Sequence, residues 1–248
     1  MRKYIIGIVL ISLIGSPFIS HAQSNEDSAI NIFKELCTKY KNADHLSFRL
    51  HYSYRNEINQ RPLDSLMGNV MINKNDYHVQ LGNTEIIHNS NYNIMLFKDD
   101  SLMYLTKSDS VKTVSNPVSL IDTMLLKIKG LNIFLSKNQW NQLITINFPA
   151  GMDYKQIIFF IDTKTGYLTK TKYVLKASLI ENNNHTALGT SKGLNEWVIV
   201  ETILNHYQNN TFGDNEFDDK KYFTKEEGGY RTTSAYKGYK IFEGGTNL

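Results

Sequence analysis

The stretch Leu46-Ser-Phe-Arg-Leu-His-Tyr-Ser-Tyr-Arg55 decides the fold of this chain. Apolar and aromatic side chains alternate with polar ones along its whole length. A period of two is typical of a strand with one face on a core and the other toward water. The apolar face carries five side chains, namely Leu46, Phe48, Leu50, Tyr52 and Tyr54. The stretch therefore predicts an amphipathic strand at the start of a sheet.

Short strands and tight turns continue from this stretch to residue 107 and return in the second half of the chain. Turn residues recur about every 8 to 12 residues, which is the spacing of an antiparallel meander, sandwich or barrel. Residues 131–135 are apolar without favouring one type of structure. The pattern indicates a mainly β protein with a minor α+β component. Strands are predicted at residues 46–55, 66–73, 77–81, 84–88, 92–98, 101–107, 142–148, 154–162, 166–176 and 195–207.

Two segments have the three- and four-residue apolar spacing of amphipathic helices. Residues 25–42 form the first, with an apolar stripe that includes Cys37. Residues 117–129 form the second, which begins at Pro117 and is followed by Gly130, as is usual at helix ends. The stripe of this second helix consists of Val118, Ile121, Leu125 and Ile128.

The first 22 residues have the features of a secretory signal. The segment begins with basic residues and continues with a short apolar run. Small residues follow, and the predicted cleavage site lies after about Ala22. Removal of this segment leaves 25 basic and 24 acidic residues, a net charge of +1. Such a balance gives no electrostatic reason to expect nucleic acid or an anionic membrane as a partner. No later stretch is apolar enough for a transmembrane helix.

The rest of the exported chain divides into two parts. Residues 23–210 are expected to form one domain. Residues 211–248 carry scattered aromatic side chains and are expected to pack on the sheet, with residues 239–242 as a candidate edge strand.

The sequence contains no convincing catalytic or metal-binding constellation. Gly189-Thr-Ser-Lys-Gly193 matches the G-x-S-x-G pattern, but no predicted helix follows it, so a loop is the competing interpretation. The histidines form no ligand pair, and residues 214–219 lack the Gly and Glu of an EF-hand loop. Cys37 is the only cysteine of the chain, so a disulfide within the chain is excluded. It is interpreted either as a small buried side chain or as a reactive thiol. No enzyme activity, catalytic residue, metal or cofactor is therefore predicted.

Two kinds of modification signal occur. Asn184 and Asn209 begin N-glycosylation triplets, which matter only in a host that has the machinery. A repeated Asp-Ser/Thr-aliphatic triplet resembles the O-glycosylation signal of secreted proteins in Bacteroidota, although Asp-Ser is also common turn and cap chemistry. It begins at Asp27, Asp64, Asp100, Asp109 and Asp122.

The order of elements resembles the periplasmic outer-membrane lipoprotein carriers of the LolA/LolB-like family, over residues 25–210. The likeness lies in Leu46-Ser-Phe-Arg-Leu50, Gly68-Asn-Val-Met-Ile-Asn-Lys74 and Leu96-Phe-Lys-Asp-Asp-Ser-Leu-Met-Tyr-Leu105. Where the carriers tend to have Arg-Pro and a further Arg, this chain has Asn73-Lys-Asn-Asp-Tyr77. The family's lid-locking arginine therefore corresponds to no residue here.

The resemblance implies an unclosed antiparallel β half-barrel with an N-terminal amphipathic helix, a short lid helix and an apolar cavity for acyl chains. The same residues would equally suit an ordinary sheet–helix core, and this alternative stays open. The candidate ligand-binding residues are Leu46, Phe48, Leu50, Tyr52, Tyr54, Val118, Ile121, Leu125 and Ile128.

Three functions follow as hypotheses. The first is a non-enzymatic, exported binding protein or carrier for a lipid, lipoprotein or other apolar ligand, located in the periplasm or cell envelope of a Gram-negative bacterium. The second is a protein-interaction module of a cell-envelope assembly, which would use sheet edges or the aromatic C-terminal segment. The third is a hydrolase that uses Ser191.

Overall fold

One large sheet dominates the computed structural model, which describes residues 25–58, 62–108, 130–181, 196–213 and 215–244. Twelve strands form it, in the order β14-β6-β5-β4-β3-β2-β1-β11-β10-β9-β8-β7, and β12 and β13 pair separately. The strands are β1 Leu46–Asn56, β2 Asp64–Asn73, β3 Asp76–Leu81, β4 Thr84–His88, β5 Tyr92–Phe97, β6 Leu102–Lys107, β7 Asn132–Lys137, β8 Asn141–Asn147, β9 Tyr154–Asp162, β10 Leu168–Lys176, β11 Trp197–Asn209, β12 Phe223–Glu226, β13 Gly229–Thr232 and β14 Lys240–Glu243.

The alternating stretch of the sequence lies near the middle of this sheet. β1 pairs antiparallel with β2 on one side and with β11 on the other. The two edge strands, β14 and β7, belong to opposite ends of the order and do not pair with each other. The predicted class is thereby confirmed, since the protein is mainly β with an unclosed antiparallel sheet of the half-barrel type. Among the described strands, only β14 departs from the antiparallel pattern, because it runs parallel to β6.

The N-terminal helix α1, Asn25–Lys41, covers one face of the sheet. Its buried side chains recur at three- and four-residue steps and pack on apolar side chains of β1, β2, β8, β9, β10 and β11. The ring of Phe33 meets the edge of Phe159, with 4.9 Å between the ring centroids. We call this side of the sheet the helix face. The buried positions of α1 are Ala29, Phe33, Leu36 and Tyr40.

The opposite side of strands β3–β6 is covered by residues 215–243, and we call it the tail face. Tyr222 and Phe223 are buried there against side chains that alternate with those of the helix face. Ile94 and Leu96 of β5 are buried under this cover, whereas Met95, on the helix face of the same strand, is 37% exposed. The sheet side chains of this second cluster are Ile87, Ile94, Leu96, Met103 and Leu105.

Several elements differ from, or add to, the sequence prediction. Most of the apolar segment of uncertain type at residues 131–135 lies in β7, which begins at Asn132, and a short helix α2, Ala177–Glu181, follows β10 directly. The hairpin of β12 and β13 has no counterpart in the prediction, because four-residue strands give too short a pattern to recognise. The predicted helix at residues 117–129 lies outside the described residues.

Candidate ligand-binding site

A single row of apolar side chains crosses seven strands on the helix face. Directly opposite residues of neighbouring strands point to the same side of a sheet, so the register of the strands defines the row. The row contains no charged side chain and runs from the centre of the sheet to its β14 edge. We call it the apolar row, and it consists of Phe48, Val70, Val79, Ile86, Met95, Tyr104 and Phe242.

Exposure increases steadily along the apolar row. Phe48 and Val70 are only 3% and 7% exposed because they lie in the core beneath α1. At the other end, Met95, Tyr104 and Phe242 are 37%, 41% and 44% exposed. A continuous apolar strip that emerges from a core is the kind of surface that binds an apolar ligand.

The exposed end of the apolar row is held by aromatic contacts. Tyr104 and Phe242 stack with their ring centroids 5.2 Å apart and their planes 19° from parallel. Phe97, in the next row of the same face, meets Tyr104 edge to ring at 5.7 Å. These contacts fix flat apolar surfaces at the sheet edge without ionic groups.

The five candidate residues of β1 all lie on the helix face but have different surroundings. Leu46 and Phe48 are buried under α1, and Leu50 is half-buried beside the same cluster. Tyr54 is buried, and Tyr52 half-buried, in a separate cluster around α2. The structure therefore brings only Phe48 into the apolar row.

The four candidate residues of the predicted lid helix, Val118, Ile121, Leu125 and Ile128, lie outside the described residues, and so does Ser191 with its G-x-S-x-G pattern. The lid stays a prediction.

Among the histidines, His78 is buried beneath residues 215–243, although its strand position alone would have suggested an exposed side chain.

Several tyrosines of the helix face have raised pKa values. Burial raises the pKa of Tyr52 and of Tyr77 above its usual value. Burial is also the main cause that raises the pKa of Tyr173 to about 12. Because phenols in such surroundings keep their protons, they present rings and hydroxyl groups to a ligand rather than charges.

A groove of about 580 Å³ lies apart from the exposed end of the apolar row, between α1 and the β9–β10 turn. Its lining includes the charged side chains of Lys34, Lys39, Lys137 and Asp162 and the apolar side chains of Ile32, Leu36 and Ile161. The ammonium group of Lys39 sits 4.5 Å above the Tyr167 ring, and Asp162 accepts hydrogen bonds from its own turn at the backbone N–H groups of Lys164 and Thr165. The groove thus combines charged groups with apolar side chains.

Two exposed aromatic side chains mark the other edge of the sheet. Phe134 on β7 is 54% exposed, and Trp140 in the following turn is 67% exposed. The Thr163 backbone N–H and hydroxyl group both donate to the Trp140 carbonyl oxygen, so this turn has a fixed position. Exposed aromatic residues beside an edge strand are features of protein-binding surfaces.

In the part of the chain that the structure describes, no group of three or more His, Cys, Asp or Glu side chains is arranged to hold a metal ion. Within the same part, no helix is long and apolar enough to cross a membrane.

Comparisons with known proteins gave matches only among solved structures. No protein-family model and no curated protein matches the chain. An uncharacterized conserved protein from Thermus thermophilus is 8% identical, with a TM-score of 0.47 over 87% of this chain and 99% of that chain. A LolA superfamily protein from Nitrosomonas europaea is 8% identical, with a TM-score of 0.35 over 75% of this chain and 97% of that chain.

The lipoprotein LppX from Mycobacterium tuberculosis is a third similar structure, 11% identical, with a TM-score of 0.37 over 77% of this chain and 100% of that chain. The LolA-like proteins that the sequence resembles are thus among the structures it matches. At these identities the similarity concerns the fold alone.

Sequence reasoning missed most of the apolar row. Val79, Ile86, Met95 and Tyr104 sit in strands that were predicted, but which residues oppose one another depends on register. The one available signal was the apolar run of residues 94–97, because such a run places apolar side chains on both faces of its strand. Residues 239–242 were a candidate edge strand, and β14 does lie at the sheet edge, but the sequence did not indicate that it pairs parallel with β6 and adds Phe242 to the row.

Proposed function

We propose that this protein is an exported, non-enzymatic carrier that binds a lipid, lipoprotein or other apolar ligand on the helix face. The observation that carries the proposal is the apolar row, whose exposed end offers Met95, Tyr104 and Phe242 beyond the cover of α1. An acyl chain fits such a strip because it needs apolar area and no charged partner. The predicted helix at residues 117–129 would then lie over the ligand.

The proposed location is the periplasm or cell envelope of a Gram-negative bacterium. The signal-like residues 1–22 support export. Cell fractionation with an antibody against the protein tests the location independently of ligand binding.

A charge placed in the apolar row is the direct test of the proposed site. The Met95→Glu variant should bind a fluorescent fatty acid at least about tenfold more weakly than the wild type, because a carboxylate would have to be desolvated by the acyl chain. Met95 is 37% exposed, so the variant should still fold. Fluorescence titration gives the affinity, and circular dichroism checks the fold.

Met67→Glu is the matched control. Met67 is 73% exposed and opposes His51, on the tail-face side of β2. This variant should bind the probe like the wild type. The site would be refuted if folded Met95→Glu bound the probe as tightly as the wild type does. It would also be refuted if the wild type bound no acyl probe and if extraction and native mass spectrometry recovered no lipid from it.

The second candidate function is a protein-interaction module of an envelope assembly. The exposed Phe134 and Trp140 beside edge strand β7 favour it. Crosslinking in cell envelopes should then capture a partner with the wild type and lose it with the Trp140→Ala variant. A protein that stays monomeric and retains no partner would exclude this function.

A further inference from the structure

The edge strand β7 turns one row of backbone groups away from the sheet. In the β7–β8 hairpin the Asn138 N–H donates to the Asn141 carbonyl oxygen at 2.9 Å, and hydrogen-bonded pairs of an antiparallel ladder recur at every second residue. The bonds to β8 therefore belong to the even-numbered residues of β7. In the part of the chain that the structure describes, no strand pairs with the other side, toward which the N–H and C=O groups of Ile133, Leu135 and Lys137 point.

The sequence of β7 does little to protect this edge from another strand. Sheet edges are usually blunted by charged side chains, by proline or by bulges. β7 has no proline, its pairing with β8 is regular from Asn132 to Lys137, and its single charge is that of Lys137 at the end of the strand. The strand is therefore open to pairing with an extended segment along its length.

The two faces of β7 differ in character. Ile133 and Leu135 pack against the core beneath α1, on the helix face. Phe134 points to the opposite side and is 54% exposed, and Trp140 in the following turn is 67% exposed. Because the side chains of a strand alternate between its faces, a strand added at this edge would place every second side chain beside α1 and the others beside Phe134.

Positive charge lies on the α1 side of this edge. Lys137 points to the same side as two lysines of α1, since Lys34, Lys39 and Lys137 together line the groove described above. Among the described residues, no carboxylate oxygen lies within 4 Å of these three ammonium groups. The groove also contains the carboxylates of Glu35 and Asp162, but Asp162 already accepts hydrogen bonds from its own turn. Three cations thus face two carboxylates, one of which is engaged by its turn.

We propose that the β7 edge binds an extended acidic segment of a partner protein, which adds to the sheet as a further strand. Its acidic side chains would lie on the α1 side, near Lys34 and Lys137, and its apolar side chains would lie beside Phe134. A second copy of this chain is a poorer occupant, because it would bring a second basic groove to the same edge. The inference rests on the second candidate function, the interaction module, and is independent of ligand binding by the apolar row.

Three synthetic peptides of about ten residues test the chemistry of the occupant. The first alternates Glu and Val, the second alternates Lys and Val, and the third alternates Glu and Gly, all with a fluorescent label and blocked ends. Fluorescence anisotropy should show that the Glu/Val peptide binds at least about tenfold more tightly than either of the others. The Lys/Val peptide has the wrong charge, whereas the Glu/Gly peptide has a weak strand propensity and no side chain to contact Phe134.

Charge reversal in the protein should reverse the preference between peptides. The double variant Lys34→Glu/Lys137→Glu should bind the Glu/Val peptide about tenfold more weakly than the wild type does, and it should bind the Lys/Val peptide more tightly than the Glu/Val peptide. Both side chains are exposed, so the variant should fold. Lys225→Glu/Lys237→Glu is the matched control, because it makes the same change of charge at exposed positions of the C-terminal segment, and it should bind all three peptides like the wild type.

Residue-resolved hydrogen exchange by NMR shows whether the peptide pairs as a strand. The Glu/Val peptide should slow exchange of the outward amides of Ile133, Leu135 and Lys137 at least about fivefold, and it should affect Phe134 and Ser136 much less, because these residues already donate to β8. Protection of the outward amides in the free monomer would show that the edge is already paired, and it would overturn the proposal. Self-association that protects the same amides would overturn it as well, since a second copy would then be the occupant.

Failure of this inference and failure of the interaction function give different results. Suppose that crosslinking captures a partner through Trp140 but that the three peptides bind alike or not at all, or that the charge-reversed variant binds like the wild type. The acidic strand is then refuted, and the interaction function remains. If instead no partner is captured in cell envelopes while the peptides and the amides respond as expected, the interaction function is refuted and the specificity of the edge remains.

Discussion

Gly68 is the residue that allows β2 and β3 to approach in the middle of the sheet. It is buried and pairs with Leu81 across the two strands. A Cβ atom at this position would lie 2.3 Å from the backbone oxygen of Gln80, and backbone in a paired strand cannot move aside as a flexible side chain can. The absence of a side chain is therefore a packing requirement rather than a turn requirement.

Gly68→Ala should lower the free energy of unfolding by about 2 kcal/mol or more, because the added methyl group forces the two strands apart. Urea denaturation followed by circular dichroism measures the change. Gly213→Ala is the matched control, since a Cβ atom there meets nothing within 4 Å, and it should change stability by less than about 0.5 kcal/mol. A Gly68→Ala variant as stable as this control would contradict the packing argument.

At the scale of elements, two covers lie on opposite sides of the sheet. α1 covers one face with an apolar helical stripe, whereas residues 215–243 cover the other with scattered aromatic side chains. The apolar side chains of α1 recur at the helical period, so the helix by itself places them on one face that can be buried. Residues 215–243 have little regular structure, so their position depends on individual anchors such as Tyr222 and the Asn89 amide, which donates to the Phe217 carbonyl oxygen at 2.9 Å.

Phe33→Ala should destabilise the protein by about 3 to 5 kcal/mol, because the buried ring leaves a cavity against Phe159. Thermal and urea unfolding measure the loss. Lys34→Ala, on the exposed side of the same helix, should change stability by less than about 0.5 kcal/mol. Similar losses for the two variants would mean that α1 does not pack through its predicted stripe.

At the scale of the whole molecule, acid should weaken the protein through carboxylates that are ionised in ion pairs. Burial alone raises the pKa of Glu85, but the contacts with His78 and Lys98 outweigh it and lower the pKa from 4.5 to about 2. Contacts with Lys170 and Arg55 likewise outweigh burial and lower the pKa of Glu201. Each carboxylate therefore contributes stability at neutral pH that is lost on protonation.

The wild type should lose about 3 kcal/mol of stability through Glu85 as the pH falls from above 4.5 toward about 2. Urea unfolding at a series of pH values measures this loss. Glu85→Gln should be less stable than the wild type at neutral pH and should show a smaller decrease on acidification. A variant with an undiminished acid response would indicate that other carboxylates dominate.

The sequence allowed the class of the fold and most strands to be predicted, because alternation and helical spacing are local patterns. Leu46 and Phe48 on β1, and the stripe of α1, lie where those patterns put them. The apolar row could not be predicted, since it depends on the register of seven strands. The contact between His78 and Glu216 could not be predicted either, because nothing in the sequence of β3 indicates that Glu216 will pack on it.

The strand order also constrains how the molecule is made. β1, near the middle of the sheet, pairs with β11, so its hydrogen-bond partner leaves the ribosome only about 150 residues later. Residues 215–243, which cover Ile87, Ile94 and Leu96, emerge later still. A nascent chain must therefore carry uncovered apolar strands until synthesis is almost complete, and such non-local closure is slow. Delayed closure lengthens the time during which these apolar strands are exposed to aggregation.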